Sequence, residues 1–252
     1  MDDVFDTERD SHDRPSNRFG EFLRLSAEER AVVAELLGPP QHYPRHHVLR
    51  REGTEPLNLH LLLGGWVAAS LSLPTGKQQI VKVHLPGDLL GAPSLSLKSS
   101  AETLTTLTPV AAQPLSRSRL IAAFARHPRL AITLFLSAQK ERVSLMDRLA
   151  LVGQADAHVR IAALLVDLFD RLSAIGQARD GAFAMPLTQR DLGDLVGITP
   201  VHVNRTLRAM DKANLIRRSD QTITLLDIDR LRGLTGLPRR DFVFEPDWLP
   251  FR

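Results

Sequence analysis

The chain of 252 residues contains no cysteine. That absence excludes disulfides, zinc thiolate sites, cysteine-ligated iron-sulfur clusters and thiol nucleophiles, because each requires that sulfur. Aromatic residues are scarce at 5%, so any local cluster of them stands out. No stretch reaches the ~18 apolar residues that span a bilayer. The nearest, Leu61 to Leu73, is broken by Gly64, Gly65 and Ser70. The start, Met-Asp-Asp-Val-Phe-Asp, lacks the basic residues and apolar run of a secretory signal, which points to the cytoplasm and away from a membrane partner. An excess of one charge is also missing: 32 Lys and Arg stand against 29 Asp and Glu, a balance that permits a polyanionic partner without demanding one.

What is present is a globular composition, 43% hydrophobic and 24% charged, with enough length for one large or two ordinary domains. Residues 1–20, rich in Asp, Arg, Ser and Asn, read as a flexible tail. Ser26-Ala-Glu-Glu29 has the spacing of a capping box, and Gly38-Pro39-Pro40 ends the short helix that follows. From His47 to Leu115 short apolar runs, Leu59 to Leu63, Trp66 to Leu73 and Gln79 to Leu85, alternate with turn signals, which predicts a β-sandwich or barrel. Beyond Ser116 the pattern turns helical, with one long helix at about 127–153. Two apolar seams run along it. Phe135, Ala138, Leu145, Leu149 and Val152 form one, interrupted by Arg142; Ile132, Leu136, Gln139, Val143, Met146 and Ala150 form the other. Two seams exceed what one domain contact requires, so the helix is expected either to be buried on two sides of its own monomer or to face its own N-terminal domain with one seam and a second copy with the other, the periodicity leaving open which. The candidate dimer residues are Phe135, Ala138, Arg142, Leu145, Met146, Leu149 and Val152.

The most informative stretch is Leu187 to Met210, LTQRDLGDLVGITPVHVNRTLRAM. Gln189 to Val196 has helical spacing through Leu192, Leu195 and Val196, and Gly197 suits a left-handed turn. Thr199 offers an N-cap oxygen and Pro200 takes the first helical position. Val203, Leu207 and Met210 then fall on one stripe of a second helix, with Val201, His202, Arg205 and Arg208 on the opposite one. This is a helix-turn-helix whose outward face suits a DNA major groove. Arg205 is placed to donate two hydrogen bonds to guanine O6 and N7, a contact worth ~1 to 3 kcal/mol of discrimination. Val201 and Pro200 flank it as base contacts, Val201 suiting a thymine methyl. Thr199, His202, Gln189, Arg190, Arg208 and Arg218 are assigned to phosphates, where contacts set position rather than sequence. Ile216 to Leu225 reads as a wing turning at Ser219-Asp220-Gln221.

This arrangement resembles the Crp/Fnr family of bacterial transcription regulators over roughly residues 20–235. Gly65-Trp-Val67, Pro86-Gly-Asp-Leu-Leu-Gly91, the long helix before Gly153 and the helix-turn-helix with its wing carry the resemblance. It implies an α+β fold: an N-terminal β-roll of the cyclic-nucleotide-binding type over 21–126, a dimerisation helix at 127–153, a winged helix-turn-helix at 154–236 and an aromatic tail at 237–252. It also implies a homodimer on double-stranded DNA at an inverted repeat. Relatives that bind cyclic AMP carry Glu after the glycine that is Gly91 here, and an Arg-Ser pair for the phosphate. Ala92 and Ser100-Ala101 occupy those places, so the effector pocket of Gly91, Ala92, Ser100 and Ala101 lacks a cation and is not expected to bind cyclic AMP. No cofactor, metal or catalytic residue is assigned, and no small-molecule effector is identified. Two minor alternatives are a cupin-like metal-dependent enzyme and a roll that acts as an interaction module. The enzyme wants two His around one residue, whereas His60 precedes Leu-Leu and His84 precedes Leu-Pro. The tail, with Phe242, Phe244, Trp248 and Phe251, admits three roles: packing on its own domain, covering the partner, or contacting RNA polymerase.

Overall fold

The structure, a computed structural model, describes residues 17–56 and 58–249. Most of the expected tail at 1–20 lies outside the described residues, but its last part is corrected. Phe19 is fully buried beneath α1 (Ala27–Leu36). The mostly polar composition of the segment hides this anchor and the neighbouring Arg18, which pairs with Asp88. α1 itself opens with the capping box at Ser26 and Glu29, each side chain accepting from the other's backbone N–H.

Eight strands follow: β1 (Gln41–Tyr43), β2 (Val48–Arg50), β3 (Asn58–Gly64), β4 (Val67–Ser72), β5 (Gln78–His84), β6 (Leu89–Leu90), β7 (Thr103–Thr106) and β8 (Val110–Ser116). Their antiparallel pairings build two four-stranded sheets in the orders β1-β8-β3-β6 and β2-β7-β4-β5. Leu62, Val67, Ala69, Leu90, Leu104, Val110 and Ala112 fill the space between them. This is the expected β-roll. α2 (Arg117–Arg126) closes it and meets α3 (Pro128–Gln154) at 116°. No single helix among the described residues is long and apolar enough to cross a membrane.

After Ala155 and Asp156 the C-terminal unit begins with α4 (Ala157–Ala174), β9 (Ala178–Arg179) and β10 (Ala182–Ala184). It continues through α5 (Gln189–Val196), α6 (Pro200–Lys212), β11 (Ile216–Ser219), β12 (Thr222–Leu225) and α7 (Ile228–Thr235). Its sheet has the order β11-β12-β10-β9. The unit does not float free of the roll. One buried apolar cluster joins Trp66, Ile80, Val83, Leu85 and Leu107 of the roll to Leu164, Leu165, Leu168, Leu195 and Val196.

Charge reinforces that junction. Asp88, in the Pro86-Gly87-Asp88 turn, accepts from Arg18 Nε at 2.9 Å and from Arg171 of α4 at 3.1 Å, while Arg171 also donates to the Val83 carbonyl at 2.8 Å. Burial alone would raise the Asp88 pKa, but Lys82, Arg18, His84 and Arg171 hold it well below the usual carboxylate range. Lys82 also pairs with Glu141 of α3. The roll, the long helix and the C-terminal unit therefore share one buried ionic cluster. Such a cluster fixes relative position more than it adds stability, because desolvation offsets much of the Coulomb gain.

Candidate nucleic-acid interface

The reading head is built by local signals. Thr188 caps α5: its hydroxyl accepts from Asp191 N at 3.1 Å and the Asp191 carboxylate accepts from Thr188 N at 2.8 Å. Gly197 ends the helix with φ 72°, and Thr199 caps α6, accepting from His202 N at 3.3 Å. Gly193 lies where the helices cross; a Cβ there would sit 2.6 Å from the Ile198 carbonyl oxygen. Leu192, Leu195 and Val196 of α5 interlock with Val203, Leu207 and Met210 of α6, all buried.

That packing turns the other face of α6 outward. Val201 is 80% exposed; Pro200, Arg205 and Arg208 are exposed with it and His202 is half-buried. Thr199, Gln189 and Arg190 are exposed around the entry to the two helices. Among the described residues neither Arg205 nor Arg208 has an ion-pair partner, so both guanidinium groups keep their donors for an outside acceptor. Arg218 departs from its assignment. It is half-buried, 3.7 Å from the Asp211 carboxylate, and braces the wing against α6. The exposed cation of β11 is Arg217 instead. Alternation along the strand carries this signal: Ile216 and Arg218 share one face, and the buried Ile216 marks it as the inner one.

On α3, every proposed dimer residue lies on one open stripe. Phe135, Ala138, Arg142, Leu145, Met146, Leu149 and Val152 are exposed, Leu149 by 73%. Apart from Met146, which sits beside Leu145, their steps of three and four residues follow the seam of a paired helix. The division of labour between seams is corrected, however. None of Ile132, Leu136, Gln139, Val143, Met146 and Ala150 is buried: the first four are half-buried beside the open stripe and the last two are exposed. The inward face consists of Leu130, Thr133, Ser137 and Leu151 with the paired Lys140, Glu141 and Arg148. A polar inward face escapes any search for apolar periodicity.

A Crp-like helix-turn-helix domain model matches residues 159–234 and a cyclic nucleotide-binding domain model matches residues 40–127. The nitrogen fixation regulation protein FixK of Rhizobium meliloti is 30% identical over 226 residues, spanning 84% of this chain and 99% of FixK. The chain belongs to the Crp/Fnr family. FixK of Azorhizobium caulinodans is 27% identical over 230 residues, 89% of this chain and 92% of that protein. The solved structure of FixK2 from Bradyrhizobium japonicum shares the fold, with TM-score 0.73 at 24% identity across 81% of this chain and 100% of that one. As a Crp/Fnr-type transcription regulator, the protein carries its DNA-binding domain in the helix-turn-helix described above.

Within this Crp/Fnr chain the effector turn holds a feature that sequence reading missed. Of the expected pocket residues, Gly91 lies against the Arg50 side chain from β2, whose guanidinium is so close that a Cβ on Gly91 would be 2.4 Å from it. The expectation that no cation faces this turn is therefore corrected. Nothing in the turn signals Arg50, because it arrives from a strand about forty residues upstream. Its charge is already engaged: Glu102 lies 3.6 Å away, and Ser94, which accepts from Ala101 N at 3.0 Å, is 3.4 Å from the same nitrogen. Burial lowers the Arg50 pKa and raises that of Glu102, each opposed by the other's charge. Elsewhere, no group of three or more His, Asp or Glu side chains forms a metal-binding cluster among the described residues.

Proposed function

We propose that the protein works as a homodimer, joined along the open stripe of α3, that reads an inverted-repeat DNA site with one α6 in each half-site. The observation carrying this reading is the pairing of two unsatisfied surfaces in one chain: an unpaired guanidinium face on α6 and an uncovered seam of heptad spacing on α3. A two-fold dimer sets its reading helices about one turn of DNA apart, ~34 Å, so the site takes matching symmetry. Arg205 donates to the O6 and N7 edge of guanine, with Val201 and Pro200 against neighbouring bases. Thr199, His202, Gln189, Arg190 and Arg208 meet phosphates, and Arg217 joins them from the wing.

The roll does not use cyclic AMP as its signal. Ala92 cannot bind a ribose hydroxyl as a carboxylate would, and Glu102 beside Arg50 places a negative charge where an incoming phosphate would need compensation. The protein acts in the cytoplasm as a binder of DNA, not as an enzyme. Gel-shift titration on the protein's own upstream region tests the groove assignment. Arg205→Ala abolishes sequence preference while leaving salt-dependent, non-specific binding; an unchanged preference refutes it.

A further inference from the structure

We propose that residues 237–249 form a strap that ties the winged helix-turn-helix back to the long helix and the sensor, and so holds the reading heads at their working spacing. The spacing part of this inference rests on the dimeric DNA-reading function proposed above. The tie itself does not.

The strap lies beyond residue 234, where the helix-turn-helix match ends. α7 stops at Gly236, and the chain then leaves the C-terminal unit instead of packing on it. Arg240 reaches Asp147 of α3 with two hydrogen bonds, Nε to Oδ2 at 3.1 Å and a terminal nitrogen to Oδ1 at 2.5 Å. Phe242 meets Phe22 edge to face at 6.1 Å between centroids, and the Lys140 ammonium stands 5.2 Å from the Phe242 ring centre. Glu245 N then donates to the Phe22 carbonyl at 2.9 Å, and Arg24 N donates to the Glu245 carboxylate at 3.1 Å. Pro246 and Leu249 are buried. Every anchor on the far side belongs to α3 or to the first described residues of the sensor.

The need for such a tie follows from what lies beneath it. Between α3 and α4 there is a cleft of about 790 Å³, walled by Ser144 and Arg148 on one side and by Ala163 and Asp167 on the other. Most of its charged lining is paired within the walls, Arg18 and Lys82 with Asp88 and Glu141, Arg171 with Asp167 and Arg232 with Asp170, while Arg148 and Arg160 donate to backbone carbonyls. α3 and α4 are not close-packed across this cleft, so packing between them leaves their angle to the contacts at its edges. The apolar cluster with the roll fixes one side of the C-terminal unit, and Ala155 and Asp156 form a two-residue joint between the helices. On the side of the cleft, the strap adds a second tether to the buried Arg171–Asp88 pair, and the two together oppose rotation about that joint.

The test uses the full chain with Arg240→Ala and Phe242→Ala combined, two exposed positions outside the DNA face. Hydrogen exchange of the free protein at Ala155–Asp156 and the first turn of α4 should accelerate by about 5-fold or more, and affinity for an inverted-repeat duplex should fall by a similar factor, while binding to a single half-site stays unchanged. Exchange within twofold of the unmodified protein, or tighter binding to the repeat, overturns the proposal. Exchanging the charges, Asp147→Arg with Arg240→Asp, should restore protection that each single substitution loses; failure to restore it shows that the pair does not act as a tie. If the unmodified protein ignores inverted repeats, the dimer-on-DNA reading fails while the exchange measurement still decides the strap.

Discussion

Leu149→Ala is the sharpest test of the dimer surface, because the residue is the most exposed apolar side chain of the open stripe and touches little of its own chain. Its side chain is 73% exposed, so shortening it should leave the protomer's fold nearly intact. In a dimer joined along this stripe, the same side chain is covered. Removing about three methylene equivalents at ~0.8 kcal/mol each, scaled by the area exposed before association, costs roughly 1.7 kcal/mol per protomer. Two-fold symmetry applies that loss twice, about 3.5 kcal/mol per dimer. The dimer dissociation constant should then rise by roughly 300-fold. Sedimentation equilibrium across a concentration series measures it directly, and thermal melting at low concentration checks that the protomer survives. Affinity for the inverted repeat should fall in parallel, since a lone protomer engages one half-site. A dimer constant within threefold of the unmodified protein would place the interface elsewhere and refute the stripe.

Two further predictions concern the protomer. His84 is buried and its pKa is pulled down to about 4 by burial, then by the nearby Lys82 charge, against the opposing pull of Asp88 and Glu141. The unfolded chain takes up this proton near pH 6.5 and the folded chain only near pH 4, so the contribution is intact above pH 6.5 and is lost progressively as pH falls towards 4; at pH 5 the loss is about 2 kcal/mol. Urea titrations at pH 7 and pH 5 should show a smaller drop for His84→Gln, and equal drops would contradict the assignment. Gly193→Ala forces its new methyl against the Ile198 carbonyl oxygen, 2.6 Å away, and should destabilise the chain by about 1 to 3 kcal/mol while weakening DNA binding. A stable variant with unchanged melting would mean that the turn relaxes freely.

The helix-turn-helix was legible almost residue by residue because its signals are local. Thr199, Pro200, Gly197 and the Val203, Leu207, Met210 stripe lie within fourteen positions of one another, and caps and periodicity act over that distance. The strands of the roll and the long helix were legible for the same reason, as alternation and as a seam. What escaped came from distant partners. Arg50 and Glu102 meet at Gly91 across three separate segments, and Arg171 finds Asp88 across 83 residues. Arg218 was misassigned because a basic residue on a wing looks the same from sequence whether it faces solvent or Asp211. The inward face of α3 was missed for a different reason: it is held by Ser137, Lys140 and Glu141, so its attachment is polar and leaves no apolar rhythm.

The apolar cluster that runs from Trp66 and Ile80 through Leu164 to Val196 has a consequence for dissection of the molecule. Part of the wall that shields α4 and α5 from water is made of β-sheet, so the C-terminal unit is not a detachable cartridge. A fragment starting at the joint would uncover the side of those helices that the sheet now protects, and its melting and solubility would describe that wound more than the native reading head. The two halves are better regarded as one cooperative body with a shared seam, in which heat applied to either is felt by both.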